Sequence, residues 1–189
     1  MTREPDKPGR DEIRAAVGKT VPDVIGPRLR VLFCGINPGL YSGATGHHFA
    51  RPGNRFWATL HGAGFTDRRL SPWEENELLR HGCGVTNLVP RATAGADEIA
   101  PTELVAGRRR LASKVKRYTP ACVAVLGVAA YRTGFARPHA ALGRQPEQIS
   151  GAMIWLLPNP SGLNAHYQLP ELIALFRALR EAVEQIQSH

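Results

Sequence analysis

Two short segments of the chain place an asparagine next to proline and glycine at the end of an apolar run. Gly35-Ile-Asn-Pro-Gly closes the run 29–36, and Asn159-Pro-Ser-Gly follows the run 153–157. Proline and glycine fix a sharp turn, and such a turn can direct backbone N–H groups at a ligand oxygen. An amide has no useful basicity near neutral pH, so Asn37 is suited to orienting a water molecule rather than deprotonating it.

The loop at residues 45–57 combines histidine, arginine and aromatic side chains. Phe49 stands between polar residues and can stack on a planar base, while Arg51 and Arg55 can contact phosphates. His47 and His48 can be solvated loop residues or metal ligands, but no third ligand lies at a suitable spacing. We therefore predict no metal site.

The second asparagine motif admits two further interpretations. Ser161 follows an apolar run, as the nucleophile of a hydrolase does, but the Gly-x-Ser-x-Gly elbow is absent. Leu163, on a Pro–Gly turn, can wedge between base pairs of DNA or fold back into the core. Taken alone, this segment leaves both roles open for Leu163.

The charge balance favours a polyanionic partner. Lysine and arginine number 24 against 16 aspartate and glutamate, a formal net charge of +8, and nucleic acid is the first partner that such a surface attracts. The basic stretch that starts with Arg108-Arg-Arg is interpreted as a solvated helix surface. Hydrophobic residues make up 43% of the chain, which excludes disorder of the whole protein.

The same composition bears on compartment and redox state. No apolar run reaches the ~18 residues of a membrane span, and the polar N-terminus has no signal-peptide core. Cys34, Cys83 and Cys122 are odd in number and far apart, so we expect buried reduced thiols. These features predict a cytoplasmic protein, nucleoid-associated if prokaryotic, without a membrane partner.

Apolar runs alternate with longer helical patterns along the chain. Residues 1–27 are rich in proline and glycine and predict a flexible basic tail with a short helix near 11–17, while 28–189 predict a single domain. The alternation favours a parallel sheet with helices on both faces. Ligands bind such sheets outside the carboxyl ends of the strands, where the loops described above fall. The predicted strands are 29–36, 84–89, 121–126 and 153–157. The predicted helices are 55–62, 72–80, 102–118, one after Gly127, and 169–186.

Taken in order, four motifs resemble the mismatch-specific uracil/thymine branch of the uracil-DNA glycosylase superfamily. They are Gly35-Ile-Asn-Pro-Gly, Pro52-Gly-Asn-Arg-Phe-Trp, Gly84-Val-Thr-Asn-Leu-Val and Asn159-Pro-Ser-Gly-Leu, within a similarity from about Leu29 to about Ala182. The resemblance implies a three-layer α/β/α fold with a central parallel four-stranded sheet. It also implies hydrolysis of the N-glycosidic bond of uracil, thymine or a modified cytosine mispaired with guanine in double-stranded DNA. The base is flipped out of the duplex, and a monomer without a cofactor suffices.

The resemblance also assigns roles to residues. Asn37 positions the attacking water, the backbone of Ile36 and the ring of Phe49 bind the base, and Ser42 senses the substituent on base carbon 5. The remaining pocket positions are His48, Asn87 and Asn159. The wedge that fills the gap in the duplex is Gly162, Leu163 and Asn164. Contacts to the DNA backbone are assigned to Arg51, Arg55, Ser161 and His166.

Departures from the family pattern keep other functions open. Ala165 stands where relatives often carry arginine, and Asn37 and Asn159 stand where more active members carry aspartate and histidine. A module that binds DNA mismatches with negligible turnover is therefore an alternative. A hydrolase of free nucleosides or nucleotides is a weaker one, because it leaves the +8 charge and Leu163 without a use. Three carboxylates outside the motifs are interpreted as structural: Asp67, Asp97 and Glu98.

Overall fold

The computed structural model describes residues 7–187, which fold around one five-stranded sheet. The strands lie in the order β2-β1-β3-β5-β4, and all neighbours are parallel except β4 and β5. The chain runs from β1 to β2 on one side and then to β3 on the other side of β1. The strands are β1 Val31–Gly35, β2 Cys83–Asn87, β3 Cys122–Leu126, β4 Gly143–Ile149 and β5 Ala152–Leu157.

The predicted number of four strands is wrong, because β4 adds a fifth, antiparallel to β5. The segment has the sequence Gly-Arg-Gln-Pro-Glu-Gln-Ile, in which only Gln145 and Ile149 are buried. Its pairing shifts register between Arg144 and Gln148, on either side of Pro146. Proline cannot donate a hydrogen bond within a sheet and is confined to edges and bulges. An edge strand of this composition lacks the apolar run by which the other four are predicted.

Helices cover both faces of the sheet because successive strand residues point to opposite sides. The helices are α1 Arg10–Arg14, α2 Leu40–Thr45, α3 Phe56–Gly62, α4 Pro101–Tyr118, α5 Val128–Gly134 and α6 Leu169–Gln187. One core joins Phe33 of β1 to Phe56 and Phe176, while the other joins Leu32 to Leu111 and Tyr131. The helix predicted at 72–80 is present as a 3₁₀ helix, Pro72–His81, whereas α2 was not predicted from the sequence.

Residues 1–27, predicted to be a flexible basic tail, carry five Lys or Arg against five Asp or Glu and are therefore not basic. The described part of this segment, residues 7–27, packs against the domain. Val24 pairs with Val85 on the outer edge of β2, through hydrogen bonds of 2.9 and 2.7 Å. Ala16 and Val21 are buried. Apolar residues scattered among prolines carry no periodicity, which is why the sequence pattern missed this packing. Residues 1–6 of the predicted tail lie outside the described residues.

The three cysteines are free and buried, as predicted. Burial raises the pKa of the thiols of Cys34, Cys83 and Cys122 to about 12. No helix among the described residues is long and apolar enough to cross a membrane.

Candidate active site

The loops that follow β1, β2 and β5 meet at the carboxyl edge of the sheet. Backbone hydrogen bonds join the first two, because the N–H groups of Leu88 and Val89 donate to the carbonyls of Gly35 and Ile36, each at 2.9 Å. The sheet therefore fixes the position of the Asn37 turn, as expected for a site at a topological switch point.

The side-chain amide of Asn37 is oriented by three acceptors. The two hydrogens of its Nδ2 are shared among three acceptors, the carbonyl of Pro38 at 3.0 Å, the carbonyl of Arg91 at 3.1 Å and Oγ1 of Thr93 at 2.7 Å. The Thr93 hydroxyl donates to the carbonyl of Gly95 at 2.7 Å, so its oxygen receives the bond from Asn37. Because carbonyl oxygens can only accept, the nitrogen of the amide must face this side.

The opposite atom, Oδ1 of Asn37, is consequently directed away from these acceptors. It accepts no hydrogen bond from any described residue, and it is not sealed from solvent. No carboxylate contacts the Asn37 side chain, whose partners are the three just named. The residue can therefore accept a hydrogen bond from a water molecule but has no neighbouring base to deprotonate that water.

Phe49 presents its ring next to this turn in a strained backbone conformation. Its φ is +52°, in the left-handed region that side chains rarely adopt. The ring is half-buried and stacks on Phe56, with centroids 4.0 Å apart and an angle of 26° between the planes. Neighbouring hydrogen bonds hold the turn, since His48 N–H donates to Glu75 Oε2 at 2.8 Å and Ala50 N–H donates to Oγ of Ser42 at 3.2 Å.

Gly35 leaves the space between the Asn87 amide and the Phe49 ring. A Cβ at position 35 would lie 2.5 Å from Asn87 Oδ1 and 3.6 Å from Phe49 Cζ. Any side chain at position 35 would displace the amide. No described backbone group receives the N–H of Ile36 or Phe49, so both remain free to donate to a ligand.

His48 fixes the orientation of Asn87. Its Nε2 lies 2.8 Å from the carbonyl of Pro22, which can only accept, so Nε2 carries the proton. Burial is the largest cause that lowers the pKa of His48, which favours the neutral ring. Its Nδ1 then accepts from Nδ2 of Asn87 at 3.4 Å, and Asn87 Oδ1 faces the gap beside Gly35.

The loop after β5 forms a compact turn around its own polar side chains. We call residues 159–167 the wedge loop. Oδ1 of Asn159 accepts from the N–H of Ser161 at 3.0 Å, and Nδ2 of Asn164 donates to the carbonyl of Asn159 at 3.0 Å. The Ser161 hydroxyl accepts from the N–H of Leu163 at 3.3 Å. Leu163 stands at the tip, 72% exposed, so it does not fold back into the core.

Arg55 holds the wedge loop through hydrogen bonds to its backbone. It donates from Nη2 to the carbonyls of Ser161 and Asn164 at 2.5 and 2.7 Å, and from Nη1 to the carbonyl of Tyr167. The sequence analysis predicts a phosphate contact for this residue, whereas the structure places its guanidinium on protein carbonyls. Arg51 and His166 are exposed, and neither side chain has a partner among the described residues.

The basic residues of α4 are only partly solvated. Arg110 donates to the carbonyl of Leu88 at 3.1 Å, and Arg108 lies over the ring of Phe135 at 5.5 Å from its centroid. Lys114 forms an ion pair with Asp23 at 2.5 Å and thereby ties the N-terminal segment to α4. Within residues 7–187, no group of three or more His, Cys, Asp or Glu side chains is arranged to hold a metal ion.

A model of the uracil DNA glycosylase superfamily matches residues 22–186, which is most of the chain. The chain belongs to the uracil DNA glycosylase superfamily. Its fold is also similar to the solution NMR structure of a candidate uracil DNA glycosylase from Methanosarcina acetivorans, with a TM-score of 0.56 and 19% sequence identity. That match covers 87% of this chain and 99% of the other. At this identity the likeness shows the fold.

Membership of the uracil DNA glycosylase superfamily supports a DNA glycosylase activity with DNA as the partner. The structure brings the Asn87 amide and the Phe49 ring together beside Gly35, and Ile36 and Asn37 follow Gly35 in the same turn. Ser42 and His48 support the pocket from behind, through hydrogen bonds to the Ala50 N–H and to Asn87. Sequence reasoning missed Thr93 and Glu75, because neither lies in a recognised motif. Thr93 binds Asn37 and Glu75 binds the N–H of His48, and both partners are distant in the sequence.

Proposed function

We propose that this glycosylase hydrolyses the N-glycosidic bond of uracil mispaired with guanine in double-stranded DNA. The observation that carries the proposal is the Asn37 amide. Three acceptors fix its nitrogen, so its oxygen is left to orient a water molecule at the carboxyl edge of the sheet. Thymine and modified cytosines opposite guanine are further candidate substrates, and a monomer without a cofactor is sufficient for this mechanism.

The reaction requires a flipped nucleotide in the gap beside Gly35. The base stacks on Phe49, and the C1′–N1 bond breaks with its electron pair moving onto the base. The N–H groups of Ile36 and Phe49 stabilise the negative charge that develops on a base oxygen, as donors in an oxyanion hole do. Water held by Asn37 bonds to C1′ and loses its proton, and the departing base takes up one proton. The products are free uracil and an abasic site.

Asn87 supports a preference for uracil over cytosine. Its Oδ1 faces the gap, since the Pro22–His48 pair engages its nitrogen. Uracil and thymine carry an N3–H donor that this oxygen can accept, whereas neutral cytosine has a lone pair at N3. Two acceptors facing each other leave a buried polar group unpaired, at a cost of about 1–3 kcal/mol.

The wedge loop supports a preference for mispaired bases in a duplex. Flipping costs a few kcal/mol and is cheapest at a mismatch, and an apolar side chain in the vacated space offsets part of that cost. Leu163 is exposed at the tip of the loop and is suited to this role. Without a general base, the enzyme depends on a good leaving group and on a pair that opens easily.

The test is a single-turnover assay in EDTA on duplexes that carry G·U, A·U and G·T pairs and on single-stranded DNA with uracil. The proposal expects G·U cleavage well above A·U cleavage. Equal cleavage of all uracil contexts would retain the glycosylase and remove the mismatch preference. Tight binding to G·U without cleavage would favour a mismatch-binding module. This module is the second candidate because no carboxylate is among the contacts of Asn37.

A further inference from the structure

We propose that Arg55 is a positioning residue, which holds the wedge loop in the shape that opens a base pair and contacts no phosphate itself. The inference rests on the proposed function. Its direct observation is that one guanidinium bonds three carbonyls of a single loop, those of Ser161, Asn164 and Tyr167.

The three acceptors are distributed along the loop in a way that fixes its path. Ser161 and Asn164 flank the Leu163 tip on both sides, and Tyr167 lies where the chain leaves the loop towards α6. The N–H of Arg55 adds a fourth contact, because it donates to the carbonyl of Pro160 at 3.0 Å. A loop anchored at both sides of its tip cannot swing as a flap.

Close backbone contact reinforces the anchoring. A Cβ at Gly162 would lie 2.6 Å from the carbonyl oxygen of Gly53, so the wedge loop rests directly on the loop that carries Arg55. Arg55 is followed by Phe56, whose ring supports Phe49 at 4.0 Å. Two successive residues thus hold the two parts of the site that touch DNA, the wedge and the stacking ring.

The chemistry of the contact explains why the residue is arginine. A planar guanidinium presents donors in a rigid fork and remains charged at all relevant pH values, whereas lysine presents one flexible point charge. Arg55 is half-buried, and no carboxylate of the described residues pairs with it. The positive charge of Arg55 therefore lies against the carbonyl groups of the wedge loop, without a carboxylate to balance it.

A direct phosphate contact makes different predictions. The Nη atoms are already engaged by the three carbonyls, and Nε is buried without a partner. Binding a phosphate would require the guanidinium to leave the loop. Arg51, exposed and without a side-chain partner among the described residues, is better placed for that contact.

The experiment compares Arg55→Met, Arg55→Lys and a matched control, Arg109→Met, which removes an exposed arginine from α4. Amide hydrogen exchange of residues 161–167 is measured in the free protein. Base opening is measured on a G·U duplex that carries uncleavable 2′-fluoro-deoxyuridine next to 2-aminopurine, whose fluorescence reports unstacking. Single-turnover cleavage is measured on the matching cleavable duplex, and all variants are repeated in a Leu163→Ala background.

We expect Arg55→Met to accelerate exchange in 161–167 but not in 47–50, and to lower base opening and cleavage about 10-fold, as a displaced positioning element does. Arg55→Lys should recover part of each loss, and Arg109→Met should change none. In the Leu163→Ala background, Arg55→Met should lower base opening and cleavage by less than about 3-fold. The effects of two residues that act through one another do not add.

Three outcomes would overturn the inference. Unchanged exchange in 161–167 would show that Arg55 does not anchor the loop. A direct DNA contact would be shown by two results together. The Arg55→Met and Leu163→Ala losses would multiply in the double variant, and the slope of log binding constant against log salt concentration would fall by about one phosphate contact. Normal base opening by Arg55→Met would remove its role in opening. Wild-type protein that opens G·U pairs but never cleaves them would refute the proposed glycosylase while leaving the role of Arg55 measurable.

Discussion

The proposed chemical half of the site, around Asn37, and the proposed DNA-opening half, around Leu163, are held in place by different kinds of contact. Asn37 is fixed by three acceptors that share the two hydrogens of its amide, on a turn that is itself part of the sheet's hydrogen bonding. Leu163 stands on a loop with internal turns, and Arg55 is its main tie to the domain. Positioning a water tolerates little displacement, whereas opening a duplex needs an exposed apolar tip on a stable base. The five predictions below test this division.

The largest effect is expected from removing the amide that orients water. Asn37→Ala should lower single-turnover cleavage of G·U DNA by about 10² to 10³-fold, in the range typical of losing a positioned catalytic group. Binding to the uncleavable G·U duplex should stay near normal. A cleavage rate close to wild type would move the catalytic role elsewhere in the site.

Asn37→Asp sharpens the same point. A carboxylate can supply a base, but one of its oxygens would face the carbonyls of Pro38 and Arg91, where the amide nitrogen now donates. We therefore expect lower activity than wild type at pH 7.5 and a lower melting temperature. An increase in rate would show that the turn can reorganise around a base.

Truncating Leu163 should weaken the opening of the duplex without affecting the chemistry around Asn37. Leu163→Ala should lower G·U cleavage about 30-fold, which corresponds to about 2 kcal/mol of the few kcal/mol needed to unstack a base. Cleavage of uracil in a single strand, where no pair must be opened, should change far less. If both substrates lose equally, the residue supports the pocket rather than the duplex opening.

Two buried threonines form a matched pair for the amide anchor. Thr93→Val removes an acceptor of Asn37 and should slow cleavage about 5- to 10-fold, the equivalent of one hydrogen bond of about 1 kcal/mol. Thr59 is fully buried, and its hydroxyl has no partner within the described residues. Thr59→Val should therefore leave the rate unchanged and the melting temperature equal or higher. Equal loss from both variants would show a general packing effect.

The smallest effect is expected from pH. Because burial lowers the pKa of His48 below 6.5, the neutral ring stabilises the fold above about pH 6.5, and this contribution is lost as the pH falls through the lowered pKa. A protonated ring would also turn an N–H towards the Asn87 nitrogen. Cleavage should fall about 3-fold on acidification, and His48→Asn should flatten that pH profile. An unchanged profile in the variant would assign the acid loss to another group.

The sequence predicted the parts of this site that lie within single motifs. Asn37 and Leu163 lie on turns that proline and glycine residues predict, and the strands that precede these turns are continuous apolar runs. Arg55 resisted such reasoning because its acceptors lie more than 100 residues away. Local composition suggests that an arginine on a loop meets solvent or phosphate, and only tertiary packing shows that it meets carbonyls.

The same distinction accounts for the errors in the fold. Periodicity predicts elements that bury an apolar face, and it fails for β4, which is polar and contains Pro146. It fails also for the segment around Val24, which has no period and gains its place only by pairing with Val85. Both segments lie at the edges of the sheet, where pairing depends on backbone groups that every residue carries.

The N-terminal segment has a consequence for the integrity of the protein. Residues 20–24 cover the outer edge of β2, and Pro22 supplies the carbonyl that His48 uses. Proteolytic removal of residues 7–27 would leave the backbone N–H and C=O groups of Val85, which now pair with Val24, open on the outer edge of β2. An open strand edge is a template for pairing with a second molecule. A clip far from Asn37 would thus favour aggregation and, by removing the carbonyl of Pro22 that His48 binds, would also release the Asn87 amide.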